Sequence, residues 1–460
     1  MNKKIIAAAL LGAGLLSAGP ASAVTEIQWW HSMAGALGDK VNEIAQKFNA
    51  SQSEYKVTPV YKGQYDESMT AAIAAYRAGN PPGILQVFEV GTATMMASHG
   101  AIMPVYKLMA DAHEKFNPKD YLPAVTSYFS DTKGNLLSMP FNSSTQVLYI
   151  NKDAFKAAGL DPNKPPKTWP ELEKDAEKLK QAADKRKAEV EKMKDATAEQ
   201  KQKALGSQCS FTTGWQSWVQ MESFSAWHNV PFATKQNGFG GLDTRLVFNG
   251  PVQVRHIQNL GNMAKKGLFT YVGRKDEPNG KFSGGDCGML TQSSGAYANI
   301  KANAKFEFGV SPLPYYPDVK GAPQNTIIGG ATLWVMTQKN KEVYKGIAKF
   351  FTFLSSTDIQ VDWHKSTGYV PITLAAYEEA KKQGLYQERP GFDTAIKELT
   401  NKAPTPNSKG LRLGNFVQIR NVIDEELESV WSGQKTAKQA LDEGVKRGNE
   451  LLVRFQKANQ

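Results

Sequence analysis

Apolar residues recur along this chain at two alternating periods. The runs "VTEIQWW" (24–30), "EYKVTPVYKG" (54–63) and "PGILQVFEVG" (82–91) are rich in β-branched and aromatic residues and read as strands. Between and after them, "ALGDKVNEIAQKFNA" (36–50) and "TATMMASHG" (92–100) read as helices. Strands separated by helices predict an α/β chain with a mostly parallel sheet, and such sheets gather ligands at the carboxyl ends of their strands. Tyr65, just past the second strand, and Glu89, at the end of the third, are therefore candidates to face a ligand.

A new unit starts in "LLSMPFNSSTQVLYINKDAFKAAGLDPNKPPKTWPELEKDAEKL" (136–179), with a strand running into Asn142, Ser143 and Ser144, a second strand, and two helices around a proline-rich loop. Small polar residues between two strands mark the place for a crossing between lobes. Composition then shifts over 180–207 to eight cations, five acids and no aromatic residue. Alanine, lysine and glutamate favour helix there, and Asp195 or Thr197 can break it, so a solvated helical hairpin is expected. The other reading, a docking surface for a partner, has nothing inside the segment to support it. Beyond it, Ser293-Ser294-Gly295 and Gly329-Gly330 sit at glycine-flanked strand edges, and 341–364 reads as one long helical run.

The stretch "KGLRLGNFVQIR" (409–420) opens the last part of the chain. From Asn415, read as an N-cap, Phe416, Ile423, Leu427, Val430 and Trp431 form an apolar helical stripe, and Arg420 lies on it. An inward guanidinium cannot shed its charge, so it must find a buried carboxylate, reach water, or meet an anion supplied from outside.

Composition narrows the setting. The start "MNKKIIAAALLGAGLLSAGPASA" has the layout of a cleavable secretory signal ending at Ala23, without a cysteine for a lipid anchor. No later apolar run approaches the roughly 20 residues that span a bilayer. A soluble exported protein of a Gram-negative periplasm is expected. The 460 residues, 41% of them hydrophobic, suffice for two or three domains, and the net charge of +11 favours encounter with anions. That charge is not gathered into an arm or stripe, so nucleic acid is not an expected partner. The two cysteines, Cys209 and Cys287, could close a loop of 78 residues as a disulfide or remain separate buried thiols.

Nothing points to a reactive centre. The six histidines form no HxH or HExxH pattern, and no GxSxG, P-loop or GxGxxG stretch occurs, so neither a metal nor another cofactor is expected. Ser293 and Ser294 precede a helix, where a hydroxyl and backbone amides could receive an anion or serve only as an N-cap. Trp215 and Trp218 in "GWQSW" are either core residues or flat faces for a ligand. Glu89 can pair with a lysine or accept paired ligand hydroxyls. One cation, two serines and a carboxylate together describe a ligand with an anionic end and a hydroxylated end, which glycerol phosphate matches.

The run "LYINKDAFKAAGLDPNKPPKTWPELEKDAEKL" resembles the signature of the extracellular solute-binding proteins of ABC importers, the family that includes the maltose-binding protein. "WHSMAGALG", "FEVGTATMMASHG", "PFNSST", "YVGRKDE", "GLRLGN" and "QIRNVIDEELESVW" narrow the resemblance to members that bind glycerol phosphate. It implies two α/β lobes joined by crossing strands around a central cleft: 24–143 plus 329–369, and 144–328 plus 370–460. It implies a monomer that hands glycerol 3-phosphate, or diesters such as glycerophosphocholine, to a membrane permease driven by a cytoplasmic ATPase. The family's ligand contacts fall on Tyr65, Glu89, Ser144, Trp215, Ser293, Gly330, Tyr369 and Arg420, with Arg420 gripping phosphate by both prongs, Glu89 taking hydroxyls and Trp215 able to accept a choline. The 180–207 segment is longer than the family's usual connection. Two other classes fit parts of the pattern, an exported glycerophosphodiester hydrolase and a binder of neutral oligosaccharides.

Overall fold

The computed structural model describes residues 23–460, so the expected leader lies, except for its last residue, outside them. Among the described residues ten strands form two sheets: β1 (Thr25–His31), β2 (Tyr55–Tyr61), β3 (Ile84–Phe88), β4 (Ile102–Met103), β5 (Met139–Ser144), β6 (Gln146–Asn151), β7 (Cys209–Thr213), β8 (Cys287–Ser293), β9 (Phe308–Ser311) and β10 (Gly329–Met336). The first sheet has the order β2-β1-β3-β10-β4, with β5 also on β10, and the second has the order β7-β8-β6-β9.

Both sheets are mixed, which corrects the mostly parallel expectation. Only β1 with β2, β1 with β3, and β7 with β8 run parallel; β10 is antiparallel to β3, β4 and β5, and β6 is antiparallel to β8 and β9. Local βαβ logic holds where consecutive strands share a sheet. It fails for β10, which returns to the first sheet from the second after 312–328 and enters beside β3 from the opposite end.

The crossings are polar and buried. Thr145 alone separates β5 of the first sheet from β6 of the second, and every residue of both strands is buried. Buried polar groups are generally hydrogen-bonded, and most of these are, although Ser143 Oγ and Gln146 Nε2 have no partner among the described residues. Asn142 accepts from Gln86 at 2.7 Å and donates to the Tyr65 hydroxyl at 2.9 Å; Thr145 donates to the Ile327 carbonyl at 2.8 Å; Gln146 accepts from Ser223 at 2.6 Å. Gly330, at φ 89°, pairs with Ser143, and a Cβ there would collide with the Asn142 carbonyl, so glycine is what lets the returning strand lie against the outgoing one. Cys209 and Cys287 lie opposite each other on β7 and β8 and are bonded.

Three further local expectations change. The run 341–364 is two helices, Glu342–Leu354 and Thr357–Thr367, parted at Ser355 and Ser356. Asn415 does not cap the helix Phe416–Trp431: it sits at φ 51°, and its side chain donates instead to the Leu451 carbonyl. The charged segment does not start a separate hairpin at Lys180. It is the outer half of a helix, Trp169–Glu191, begun by a Thr168/Glu171 capping box, followed by a short helix, Ala198–Leu205, begun by a Thr197/Gln200 box. Trp169, Leu172, Ala176 and Leu179 bury the inner half, whereas the outer half buries only Ala183 and Val190. Arg186 staples the return by donating to the Leu205 and Ser207 carbonyls at 2.9 and 2.7 Å.

Replacing residues 181–205 by a short glycine-serine link removes that outer half and no residue of the cavity described below. The variant is expected to lose about 2 kcal/mol with the burial of Ala183 and Val190. Its ligand affinity should stay within a few-fold in titration calorimetry.

Candidate ligand-binding site

Where β3 and β5 of the first sheet and β8 of the second end, the chain leaves a cavity of about 190 Å³, and all eight candidate residues line it. Tyr65 opens the helix Tyr65–Arg77 behind a Gln64/Glu67 capping box, and its ring stacks on Phe88 at 5.1 Å. Glu89 begins the turn after β3, and Ser144 ends β5. Tyr369 lies in the loop after the helix Thr357–Thr367, stacked on Trp363 at 5.7 Å. Trp215 is held at φ 44°, a region a bulky side chain rarely occupies, and its indole donates to Asp276 at 3.0 Å.

Of the two readings of the Ser293-Ser294 turn, the structure shows the N-cap, on Ser293. Its hydroxyl accepts from the Gly295 amide at 3.0 Å and donates to Ser144 at 2.9 Å, while the Ser294 amide is spent on the Thr145 carbonyl at 2.8 Å. The amides of this turn are thus satisfied within the protein, and what it offers the cavity is the linked pair of hydroxyls.

Arg420 meets a carboxylate, the first of the three outcomes open to it. Its Nε and Nη2 donate to the two oxygens of Glu222 at 2.9 and 2.6 Å, and Nη2 also donates to Glu89 at 2.7 Å. The two-pronged grip assigned to phosphate is therefore taken by Glu222, and Nη1 is the edge left without a partner among the described residues. Oε1 of Glu89 is likewise committed to Arg420, leaving its second oxygen for hydroxyls. Burial opposes charge on Arg420, but the attraction of Glu222 and Glu89 outweighs it and holds the guanidinium more firmly protonated than usual. Glu89 is pushed up from the usual carboxylate range by burial, with Arg420 pulling the other way.

Glu222 was missed in the sequence. It lies in a π-helical stretch, Trp218–Ser223, whose wider turn is a frequent mark of functional sites. The available signal was a lone charge in the otherwise uncharged run "WVQMESFSAW", facing the same problem as Arg420. Asp424, one turn after Arg420, is also buried, and its Oδ1 has no partner among the described residues. Among the described residues no cluster of His, Cys, Asp or Glu is arranged to hold a metal ion. His228 and His256 pack instead on Phe224 and Tyr316, and burial lowers the pKa of His228 to about 4.

Two lobes, crossing strands and a polar cavity at their junction define a binding protein of the two-lobed α/β class. Residues 43–394 match the family described as bacterial extracellular solute-binding protein, and the chain belongs to that family. It is 55% identical over 441 residues to the sn-glycerol-3-phosphate-binding periplasmic protein UgpB of Yersinia pseudotuberculosis, covering 96% of this chain and 95% of that one. It is 54% identical over 454 residues to the protein of the same name from Escherichia coli, covering 98% of each. In fold it is similar to UgpB from Mycobacterium tuberculosis in complex with glycerophosphocholine, with a TM-score of 0.75, 20% identity, and 93% and 98% of the two chains covered. It is also similar to the maltose-bound MalE3 of T. maritima, with a TM-score of 0.73, 17% identity, and 93% and 100% covered.

The ion cluster makes Arg420 a stability residue as well as a cavity residue. Arg420→Ala strands two buried carboxylates, and the folded state is expected to lose about 3–5 kcal/mol in denaturant unfolding. Arg420→Lys, which keeps the charge without the planar fork, should fall between that variant and wild type.

Burial also pushes the Asp424 carboxyl up to about 7, against the pull of Arg420 and Arg274. An unfolded aspartate titrates near ~4, so between there and about 7 the folded protein holds a proton that the unfolded chain has released. Stability at this site is therefore lost as pH rises through that window and stays lost above it. Asp424→Asn removes the titration, and its amide oxygen can still accept from Gln216. It should match wild type near pH 4 in scanning calorimetry and melt increasingly higher than it, by a few degrees, toward pH 7 and above.

Proposed function

We propose that this chain captures sn-glycerol 3-phosphate, and diesters built on it, in the periplasm after removal of a 1–23 leader, and delivers them as a monomer to a membrane permease powered by a cytoplasmic ATPase. The observation that carries the reading is the near full-length 54–55% identity to binding proteins named for that ligand. The cavity chemistry is compatible with it. Arg420 Nη1 and the Ser144 hydroxyl, itself held by Ser293, provide donors for phosphate oxygens, the free oxygen of Glu89 accepts from glycerol hydroxyls, and Tyr65 and Tyr369 form the walls.

In this reading the moving units are 24–143 plus 329–369 and 144–328 plus 370–460, turning about Thr145 and the two other crossings. Contacts suited to latching them across the mouth are the Lys275–Asp66 ion pair at 2.7 Å and the hydrogen bond from the Ala36 amide to Asn299 at 3.0 Å. Binding proceeds without chemistry on the ligand.

Titration calorimetry with glycerol 3-phosphate, glycerophosphocholine and maltose tests this. One-to-one binding of the first two and none of maltose is expected, with no choline released on prolonged incubation. Release of choline would make the chain a hydrolase, and binding of maltose alone would make it a sugar binder.

A further inference from the structure

Beyond the eight candidate residues, the cavity is lined by one more charged side chain, Asp276. Its Oδ1 accepts from Trp215 Nε1 at 3.0 Å, Asn279 at 3.3 Å and Gln292 at 3.4 Å. Its Oδ2 receives no hydrogen bond among the described residues, and no lysine or arginine pairs with it. The adjacent cation, Lys275, pairs with Asp66 at 2.7 Å and not with Asp276, while its Nζ lies 6.0 Å from the centre of the Trp215 ring. An accessible carboxylate without a counter-ion therefore stands at the edge of an indole, and the strained backbone of Trp215 keeps that indole in place, with the Tyr65 ring 6.4 Å away.

The charge balance of the cavity points the same way. Glu89 and Asp276 face Arg420 there, and Glu222 sits behind it, so the carboxylates outnumber the guanidinium. A ligand that brings its own cation relieves this excess. A quaternary ammonium has no N–H to donate, so it is recognised by aromatic faces and nearby negative charge, which is what an indole beside an unpaired carboxylate supplies.

We infer that Trp215 and Asp276 form a head-group subsite that selects diesters carrying an ammonium or quaternary ammonium alcohol over diesters with a neutral alcohol. This rests on the function proposed above and adds to it a residue and a preference. The phosphate and glycerol ends of the ligand stay with Arg420, Ser144, Ser293 and Glu89. The alcohol esterified to the phosphate reaches toward the Asp276 side of the cavity, where a choline or ethanolamine nitrogen meets the carboxylate and a neutral head group gains nothing.

The test is calorimetric titration of the full mature chain, wild type and Asp276→Asn, with glycerol 3-phosphate, glycerophosphocholine and glycerophosphoglycerol. Wild type should prefer glycerophosphocholine to glycerophosphoglycerol. In Asp276→Asn the ratio of glycerophosphocholine affinity to glycerol 3-phosphate affinity should fall at least tenfold, while the ratio for glycerophosphoglycerol holds. Equal weakening of all three ligands would show that Asp276 only positions Trp215, and an unchanged ratio would remove it from recognition; either result overturns the subsite while leaving the proposed function intact. If wild type binds none of the three, the function fails and the subsite with it.

Discussion

A guanidinium held between two buried carboxylates ties together three stretches of chain that are otherwise far apart. Glu89 hangs from the first sheet at the end of β3, Glu222 follows β7 of the second sheet, and Arg420 comes from a helix near the carboxyl terminus. Separating any member from the others leaves a charge in a poorly solvated place, so the cluster demands one relative placement of these segments. Desolvation of three charges is costly, and it is offset here only because the geometry is close and both prongs of the fork are used. The cluster thus acts as a selector of arrangement more than as a source of net stability.

That constraint sets what the cavity can do. With Nε and Nη2 committed, the guanidinium presents one edge, and with Oε1 of Glu89 committed, the carboxylate presents one oxygen. Each group is oriented by the other, so little freedom is left for a ligand to freeze out on binding. The polar crossing at Thr145 serves the same end from beneath, because its hydrogen bonds to 326–327 hold the outgoing and returning connections side by side while leaving the two sheets as separate bodies.

Much of the local structure was legible in the sequence. The strands near 25–31, 55–61 and 84–88, the helices near 36–51 and 92–97, and the solvated face of 180–207 with a break at Asp195 or Thr197 followed from periodicity, capping and composition, whereas the helix Tyr65–Arg77 was not read. These are properties of neighbours in the chain, and neighbours are what a sequence displays. The eight candidate residues came partly from this reasoning and partly from a family resemblance; Gly330 and Tyr369 had no distinctive local signal.

The sequence by itself determined that Arg420 would lie on an apolar helical stripe and would need a buried carboxylate, water or an anion from outside. Only the tertiary structure decided that the partner is Glu222, 198 residues away, with Glu89, 331 residues away, sharing it. It also decided that β10 runs against its neighbours and that Asn415 turns from its own helix to another. The physical reason is the same in each case. Helical and strand periods depend on residues a few positions apart, whereas strand direction and the choice among hydrogen-bond partners depend on where distant segments meet, which only the packed chain settles.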